Sequence, residues 1–135
     1  MAHPYISVEL RRLVINRADS LCEYCLILET DRPSGCQIEH IISLKHGGPT
    51  TEDNLAYACV FCNLQKGTDL GSINWQTGEL VRFFNPRRDL WADHFRLDEA
   101  IIQPLTIIGE VTARILDFND RDRLSINFSR RSWFP

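Results

Sequence analysis

Apolar residues recur at helical spacing near the start of the chain. They lie three or four positions apart, so they would form one face of an α-helix. The residues of this face are Leu10, Leu13, Val14 and Ala18. Ser7 precedes Val8, and serine caps helices by accepting a hydrogen bond from the first turn. The pattern predicts a helix over residues 8–18, with Arg11 and Arg12 on its solvated side.

Shorter apolar runs follow in the middle of the chain, and a glycine-containing segment separates them. Residues 36–42 are typical of a short strand, and residues 55–58 are apolar enough for a second one. The sequence His-Gly-Gly-Pro-Thr at 46–50 indicates a loop between them. Residues 60–68 suit a helix. The predicted local order is therefore strand, loop, strand, helix.

The pattern after Gly71 predicts further strands and short helices. The predicted elements are a turn and a strand over 74–84, a short helix over 88–94, strands over 95–102 and 109–113, and a helix over 120–131. The segment 109–113 could equally begin a helix. We interpret residues 71–135 as a C-terminal strand and helix extension of a core that covers about 22–70.

Length and composition indicate an ordinary globular protein. The 135 residues, 44% of them apolar, favour a single domain over 1–135, and the strands and helices predicted along it make its class α+β. No apolar run reaches the roughly 18 to 20 residues that span a bilayer, and the first residues lack the features of a signal peptide. We therefore expect a cytoplasmic protein with no membrane contact, in which thiols stay reduced.

The charge balance argues mildly against a nucleic-acid partner. The net charge is -3 and the sequence pI is about 5.8, whereas proteins that bind DNA through its phosphates are usually basic. The arginines are clustered at Arg11, Arg12 and Arg17, at Arg87 and Arg88, and at Arg121, Arg123, Arg130 and Arg131. The acidic total leaves room for a local basic stripe, and it favours weak or partner-assisted binding over tight autonomous binding.

Two Cys-x-x-Cys pairs predict a zinc site. The pairs are Cys22 with Cys25 and Cys59 with Cys62. Each such turn presents two thiolates to one metal, and zinc prefers four tetrahedral ligands. A reducing compartment favours metal over the alternatives, which are buried thiols or disulfides. Cys36 lies outside both pairs, and we interpret it as a small buried hydrophobe.

Polar residues between and beside the cysteine pairs could form a hydrolytic site. His40 is a natural general base near neutral pH. Glu39 and Asn63 offer hard oxygen ligands, which suit Mg²⁺ or Mn²⁺. Taken singly, each of these residues is more often structural. We expect His46 to be an exposed loop residue and His94 to be packed structurally.

In the order and spacing of these residues, the chain resembles the HNH endonucleases. The matching residues are Cys22-x-x-Cys25, Glu39-His40-Ile41, Gly47-Gly48, Asp53-Asn54-Leu55 and Cys59-x-x-Cys62-Asn63-x-x-Lys66. A weaker likeness extends to most of the chain. The variant is of the H-N-N type, because Asn63 stands where other members carry the last histidine. The resemblance implies a ββα-metal core with a zinc site from the two knuckles, between an N-terminal helix and a C-terminal extension.

The resemblance also assigns roles to individual residues. His40 would activate water as general base, and Glu39 and Asn63 would hold one divalent cation on the scissile phosphate. Asn54 would brace the loop and help to orient His40. Lys66 would offset charge near the phosphate, with a surface helix lysine as the alternative. Neighbours on a strand point to opposite faces, so Glu39 and His40 could share one phosphate only where the strand bends or ends.

The function expected from these residues is metal-dependent hydrolysis of DNA phosphodiester bonds by an HNH endonuclease. It would use a structural Zn²⁺ and a catalytic Mg²⁺ or Mn²⁺, with DNA as the partner. The alternative is a zinc-knuckle module that binds DNA or a protein and whose catalytic centre is idle. A redox protein fits poorly, because two paired knuckles indicate metal. A homodimer or a partner protein is left open by the sequence.

Overall fold

Five α-helices and three two-stranded antiparallel hairpins make up the part of the chain that the computed structural model describes, residues 5–31 and 34–126. In chain order the elements are α1 (Val8–Arg17), β1 (Cys36–His40), β2 (Leu55–Cys59), α2 (Val60–Lys66), β3 (Gly71–Asn74), β4 (Glu79–Arg82), α3 (Trp91–His94), β5 (Phe95–Asp98), β6 (Ile101–Pro104), α4 (Ile107–Ile115) and α5 (Arg121–Ile126). Short 3-10 turns cover Glu29–Asp31, Leu44–His46 and Glu52–Asn54. The fold class is α+β, as the sequence predicts.

Helix α1 begins where the sequence predicts. The Ser7 side chain accepts a hydrogen bond from Leu10 N at 3.1 Å and so satisfies a donor of the first turn. Val14 is fully buried and packs in one cluster with Leu55 of β2. Leu13 stays 39% exposed, so the buried stripe is narrower than the apolar pattern indicates.

The hairpin β1–β2 and helix α2 form the predicted sequence of strand, loop, strand and helix. In the antiparallel register His40 lies opposite Leu55 and Cys36 lies opposite Cys59. All five residues of β2 are buried, and α2 follows β2 without a break. Strand β1 ends at His40, two residues before its predicted end, because the backbone of Ile42 bonds to a loop side chain instead of to a partner strand.

The segment 95–102 differs from the single strand that the sequence predicts. It forms most of a tight hairpin, β5–β6, with Phe95 opposite Pro104 and Asp98 opposite Ile101. Glu99 has a positive φ of 56°, which reverses the chain between the two strands. Apolar alternation alone does not reveal this reversal, because the turn contains no glycine, proline or asparagine.

Helix α4 contains the segment 109–113, so the helical alternative is the correct one there. Thr106 accepts a hydrogen bond from Gly109 N at 3.0 Å, and this cap starts the helix upstream of the predicted segment. Helix α3 is shorter than the predicted 88–94, because turns occupy the residues before Leu90. Helix α5 covers the first part of the predicted 120–131, and residues 127–131 lie outside the described residues.

An aromatic cluster joins the cysteine-containing segment to the C-terminal extension. Edge-on and tilted ring contacts run from Tyr24 to Phe84 at 6.4 Å, from Phe84 to Phe95 at 5.4 Å, and from Phe95 to Phe118 at 5.6 Å between centroids. Trp91 Nε1 also donates to Tyr24 O at 2.8 Å. The two parts therefore share one buried cluster. In the described ranges no helix is both long and apolar enough to cross a membrane.

Candidate active site and metal centre

Four buried cysteines converge on one point. The sulfur atoms of Cys22, Cys25, Cys59 and Cys62 all lie within 4.8 Å of one another, and all four residues are fully buried. Each pair forms the same local turn: Cys25 N donates to Cys22 Sγ, and Cys62 N donates to Cys59 Sγ, both at 3.5 Å. The fold between the pairs brings the two turns together, as the sequence predicts.

The donor set of this cluster fits a zinc ion. Four thiolates in a closed group are the ligands of structural zinc sites. The disulfide alternative is wrong for these residues: no disulfide bond joins any of them, and Cys25 Sγ and Cys59 Sγ are 3.7 Å apart, far beyond a disulfide bond of about 2.0 Å. Cys36 lies outside this cluster and packs against the hydrophobic core, but it is half-buried and not fully buried as the sequence predicts.

Burial makes the cluster unfavourable for negative charge without a metal. It raises the pKa of the Cys22 and Cys62 thiols well above the usual value. At Cys59 a hydrogen bond with Cys22 has a larger effect than burial, and the pKa of this thiol is lowered. A divalent cation at the centre would supply the charge that lets all four sulfurs be thiolates.

Glu39 faces α2 and forms a buried ion pair with Lys66. Lys66 Nζ lies 3.3 Å from Glu39 Oε2, and the two side chains are 3% and 6% exposed. The same ammonium donates to Ile41 O at 2.7 Å and to His40 O at 3.4 Å. The alternative of a surface lysine is therefore wrong. Lys66 ties α2 to the end of β1, directly behind the backbone of His40.

One oxygen of Glu39 makes no hydrogen bond of standard geometry with any described residue, although the Tyr24 hydroxyl interacts with this carboxylate. Burial raises the pKa of this carboxyl, and the Lys66 ammonium partly opposes the shift. Within the described ranges, neither Glu39 Oε1 nor the Tyr24 hydroxyl has a hydrogen-bond partner of standard geometry. Burial and the nearby Glu39 charge raise the pKa of that hydroxyl well above its usual value. A carboxylate oxygen without a well-formed hydrogen bond fits a ligand position for a hard cation.

Asn63 lies on the same surface as Glu39, but it bonds to a different residue. Asn63 Nδ2 donates to Gln37 Oε1 at 2.8 Å. Gln37 and Glu39 are two positions apart on β1, and Asn63 and Lys66 are three positions apart on α2, so each pair shares a face. The result is a row of two contacts, Gln37 with Asn63 and Glu39 with Lys66. Glu39 and Asn63 are thus neighbours on one surface without a shared contact.

His40 lies on the opposite face of β1. Its Nε2 is hydrogen-bonded to Thr50 Oγ1 at 2.9 Å, which joins the end of the strand to the following loop. The ring lines an open groove of about 540 Å³ between α1 and β1, together with Arg11 and Tyr57. The side chains of Glu39 and His40 point to opposite faces, as those of neighbours on a strand do. The end of β1 at His40 does not bring the two side chains together.

Asn54 holds the loop that carries Thr50. Its Oδ1 accepts from Ile42 N at 2.9 Å, and its Nδ2 donates to Ile42 O at 3.0 Å and to Pro49 O at 2.8 Å. Gly48 is needed beside it, because a Cβ there would lie 1.7 Å from Ile42 O. Asn54 therefore contacts the backbone of the loop, and Thr50 of the same loop is hydrogen-bonded to His40.

Two histidines lie outside this group. His46 is exposed and its Nε2 is hydrogen-bonded to Thr68 O at 3.1 Å. His94 is half-buried, is hydrogen-bonded to Thr106 Oγ1 at 2.6 Å, and contacts the ring of Phe84 edge-on. Both placements agree with the sequence-based expectations. The contacts of Thr50, Gln37 and Tyr24 were missed, because these residue types have no distinctive spacing.

Comparison with known proteins identifies the segment that contains both sites. Residues 22–69 match a family model described as HNH endonuclease. Neither the curated proteins nor the solved structures give a match to the chain. The predicted resemblance is confirmed for this segment, which holds the β1–β2 hairpin, α2 and the four cysteines.

Proposed function

We propose that this chain, whose residues 22–69 are of the HNH endonuclease type, is a metal-dependent nuclease that hydrolyses DNA phosphodiester bonds. The observation that carries the proposal is the family match over a hairpin and helix in which Glu39 and His40 stand at the end of β1 and Asn63 stands on α2. A hairpin followed by a helix is the arrangement that the family resemblance implies for the nuclease core.

His40 acts as the general base. Imidazole accepts a proton near neutral pH, and a positioned base contributes roughly 10²–10⁴-fold to a rate. The hydrogen bond to Thr50 limits rotation of the ring, and the groove beside α1 gives it access to solvent and substrate. In the proposed step, water attacks the phosphorus atom while a ring nitrogen of His40 takes up a proton of that water, and the bond between phosphorus and the departing sugar oxygen breaks.

Glu39 and Asn63 hold the divalent cation, Mg²⁺ or Mn²⁺. The cation, when bound, neutralises the phosphate and stabilises the departing oxygen. Support comes from Glu39 Oε1, a buried oxygen that makes no hydrogen bond of standard geometry with the described residues. Asn63 would exchange its contact with Gln37 for this role. Lys66, behind the backbone of His40, keeps β1 and α2 together.

A second function is favoured by specific contacts. Glu39 is engaged with Lys66 in a buried pair, Asn63 is engaged with Gln37, and His40 lies on the other face of the strand. A zinc-knuckle module that binds DNA or a protein, with its nuclease centre idle, would need none of these residues to converge. The net charge of -3 also suits a protein partner.

Nicking of supercoiled plasmid distinguishes the two functions. The purified chain is assayed with Mg²⁺, with Mn²⁺ and with EDTA, and its zinc content is measured after each treatment. We expect relaxed plasmid only with an added divalent cation, while zinc remains bound in the mildly chelated sample. Binding of the same DNA without cleavage under every condition would favour the idle module, and cleavage that persists after all loosely bound metal is removed would contradict the roles of Glu39 and Asn63.

A further inference from the structure

A buried arginine from the C-terminal extension lies against the cysteine cluster. Arg123 is in α5 and is 1% exposed. Its Nη2 donates to Cys62 Sγ at 3.2 Å and lies 3.9 Å from Cys59 Sγ. Arg123 and Cys62 are 61 positions apart in the sequence, and no spacing motif links them. The contact therefore becomes visible only in the folded chain.

The fold holds this guanidinium from several sides. Its Nη1 donates to Leu116 O at 2.6 Å and to Asp117 O at 2.9 Å, the backbone carbonyls at the end of α4. Its centre lies 5.5 Å from the centroid of the Phe61 ring on α2, within the range of a cation–π contact. One donor, Nε, has no partner among the described residues. The side chain thus bridges α4, α5 and α2 at the cysteines.

A fully buried positive charge needs a negative counterpart. Burying an isolated ionised group is strongly unfavourable, and no carboxylate of the described residues is paired with Arg123 in a salt bridge. A zinc ion with four thiolate ligands carries two net negative charges. The guanidinium beside Cys62 and Cys59 is placed to offset part of this charge and to donate a charge-assisted hydrogen bond to a sulfur ligand.

We propose that Arg123 is a positioning residue of the zinc centre: it offsets the charge of the metal-bound thiolates, and zinc binding thereby fastens the end of α4 and α5 to the two Cys-x-x-Cys turns. Zinc draws its cysteine ligands into the thiolate form, so the loaded site offers the full counter-charge to the guanidinium. The C-terminal extension is then held in place by the metal as well as by the aromatic cluster. This inference is independent of nuclease activity, because it concerns only metal binding and packing.

The test uses the full chain and three variants. Arg123→Met removes the charge and keeps much of the side-chain volume, and Arg123→Lys keeps the charge but shortens the reach to the sulfur atoms. Arg121→Met is the matched control, because Arg121 is in the same helix and exposed. Zinc affinity is measured by competition with a chromophoric chelator. The Co²⁺-substituted proteins are compared by the energy of their sulfur-to-metal charge-transfer absorption.

We expect Arg123→Met to bind zinc about 10-fold or more weakly, the scale of losses on removal of groups that support metal ligands. Arg121→Met should bind zinc as the parent does. The charge-transfer band of Arg123→Lys should be shifted, because the hydrogen bond to Cys62 is altered, and this variant decides the matter if Arg123→Met does not fold. Parent-like zinc affinity in Arg123→Met, or a parent-like band in Arg123→Lys, would overturn the proposal.

Discussion

The cysteine cluster and the Glu39–His40 segment differ in how distance along the sequence relates to distance in the fold. In the cluster, two pairs with 33 residues between them converge until all four sulfur atoms lie within 4.8 Å of one another. At the end of β1, two adjacent residues diverge, Glu39 to Lys66 and His40 to Thr50. A Cys-x-x-Cys turn brings its own two ends together, whereas a strand sends neighbours to opposite faces. Short spacing predicts a shared site only when the local backbone turns.

The two regions also differ in how they balance charge. The cysteines form a closed, fully buried group that is poorly suited to negative charge without a metal. Glu39 already has a positive partner in Lys66, and only its other oxygen lacks a hydrogen bond of standard geometry in the described part of the chain. The metal is therefore expected to be structural in the first region. At the end of β1, the fold is expected to be held by contacts between side chains such as the Glu39–Lys66 ion pair.

Loss of one zinc ligand should have the largest effect. Cys59→Ala removes a ligand and the N-terminal cap of α2 together, and in small metal sites the energy of metal binding is folding energy. We expect the variant to lose its zinc and its cooperative melting transition, measured by elemental analysis and near-UV circular dichroism. Cys36→Ala is the control, because Cys36 lies outside the cluster. A metal-free Cys59→Ala protein with the parent melting curve would contradict a structural role for zinc.

Removal of Lys66 should be the next largest effect. Lys66→Met leaves the Glu39 carboxylate buried without its counter-charge, and breaking a buried pair in this way costs about 3–5 kcal/mol. We expect denaturant unfolding to show this loss in the free energy of unfolding while zinc stays bound. The double variant Glu39→Gln with Lys66→Met should recover much of it. If Lys66→Met is as stable as the parent, the ion pair does not hold β1 to α2.

The same variant should change the pH dependence of stability. Burial raises the pKa of Glu39 in the parent, and removing Lys66 removes the charge that opposes this shift. The folded carboxyl then binds its proton more tightly than the unfolded one. The contribution of Glu39 to the stability of Lys66→Met should therefore be greatest below the ordinary glutamate pKa of about 4.3 and should fall as the pH rises through the raised pKa. Melting temperatures from acid to neutral pH, compared with those of the double variant, measure this effect.

Loss of the Asn54 side chain should lower stability less than the substitutions at Cys59 and Lys66. Asn54→Ala leaves the backbone groups of Ile42 and Pro49 without their partner, which costs about 1–3 kcal/mol. We expect a moderate fall in melting temperature with full zinc content. Asn54→Ala should also lose more nicking activity than Thr50→Val, which removes only the hydrogen bond to His40. An Asn54→Ala protein with parent stability would show that the loop is held by other contacts.

The sequence predicts the parts of the molecule that depend on local rules. The cap at Ser7, the order of β1, β2 and α2, and the grouping of the four cysteines follow from capping, period and turn geometry. The buried position of Lys66 could not be predicted, because a lone lysine at the end of a helix is usually solvated.

Longer-range contacts were beyond sequence reasoning for a physical reason. Arg123 meets Cys62 across 61 positions, and Asn63 meets Gln37 across 26. Such pairs form only after the helices and hairpins have packed, and no periodicity in the chain encodes them. The hairpin turn was missed because the two residues between the strands, Glu99 and Ala100, are not ones that usually mark a turn.

The role of His40 is the central claim, and nicking of supercoiled plasmid by His40→Ala tests it most directly. Because a general base acts only in the chemical step, we predict a loss of cleavage rate of roughly 10²-fold or more with DNA affinity, zinc content and melting temperature unchanged. His46→Ala, the exposed neighbour in the loop, should cut nearly as the parent does. A His40→Ala protein that cuts like the parent, or an inactive His46→Ala protein beside it, would contradict the account.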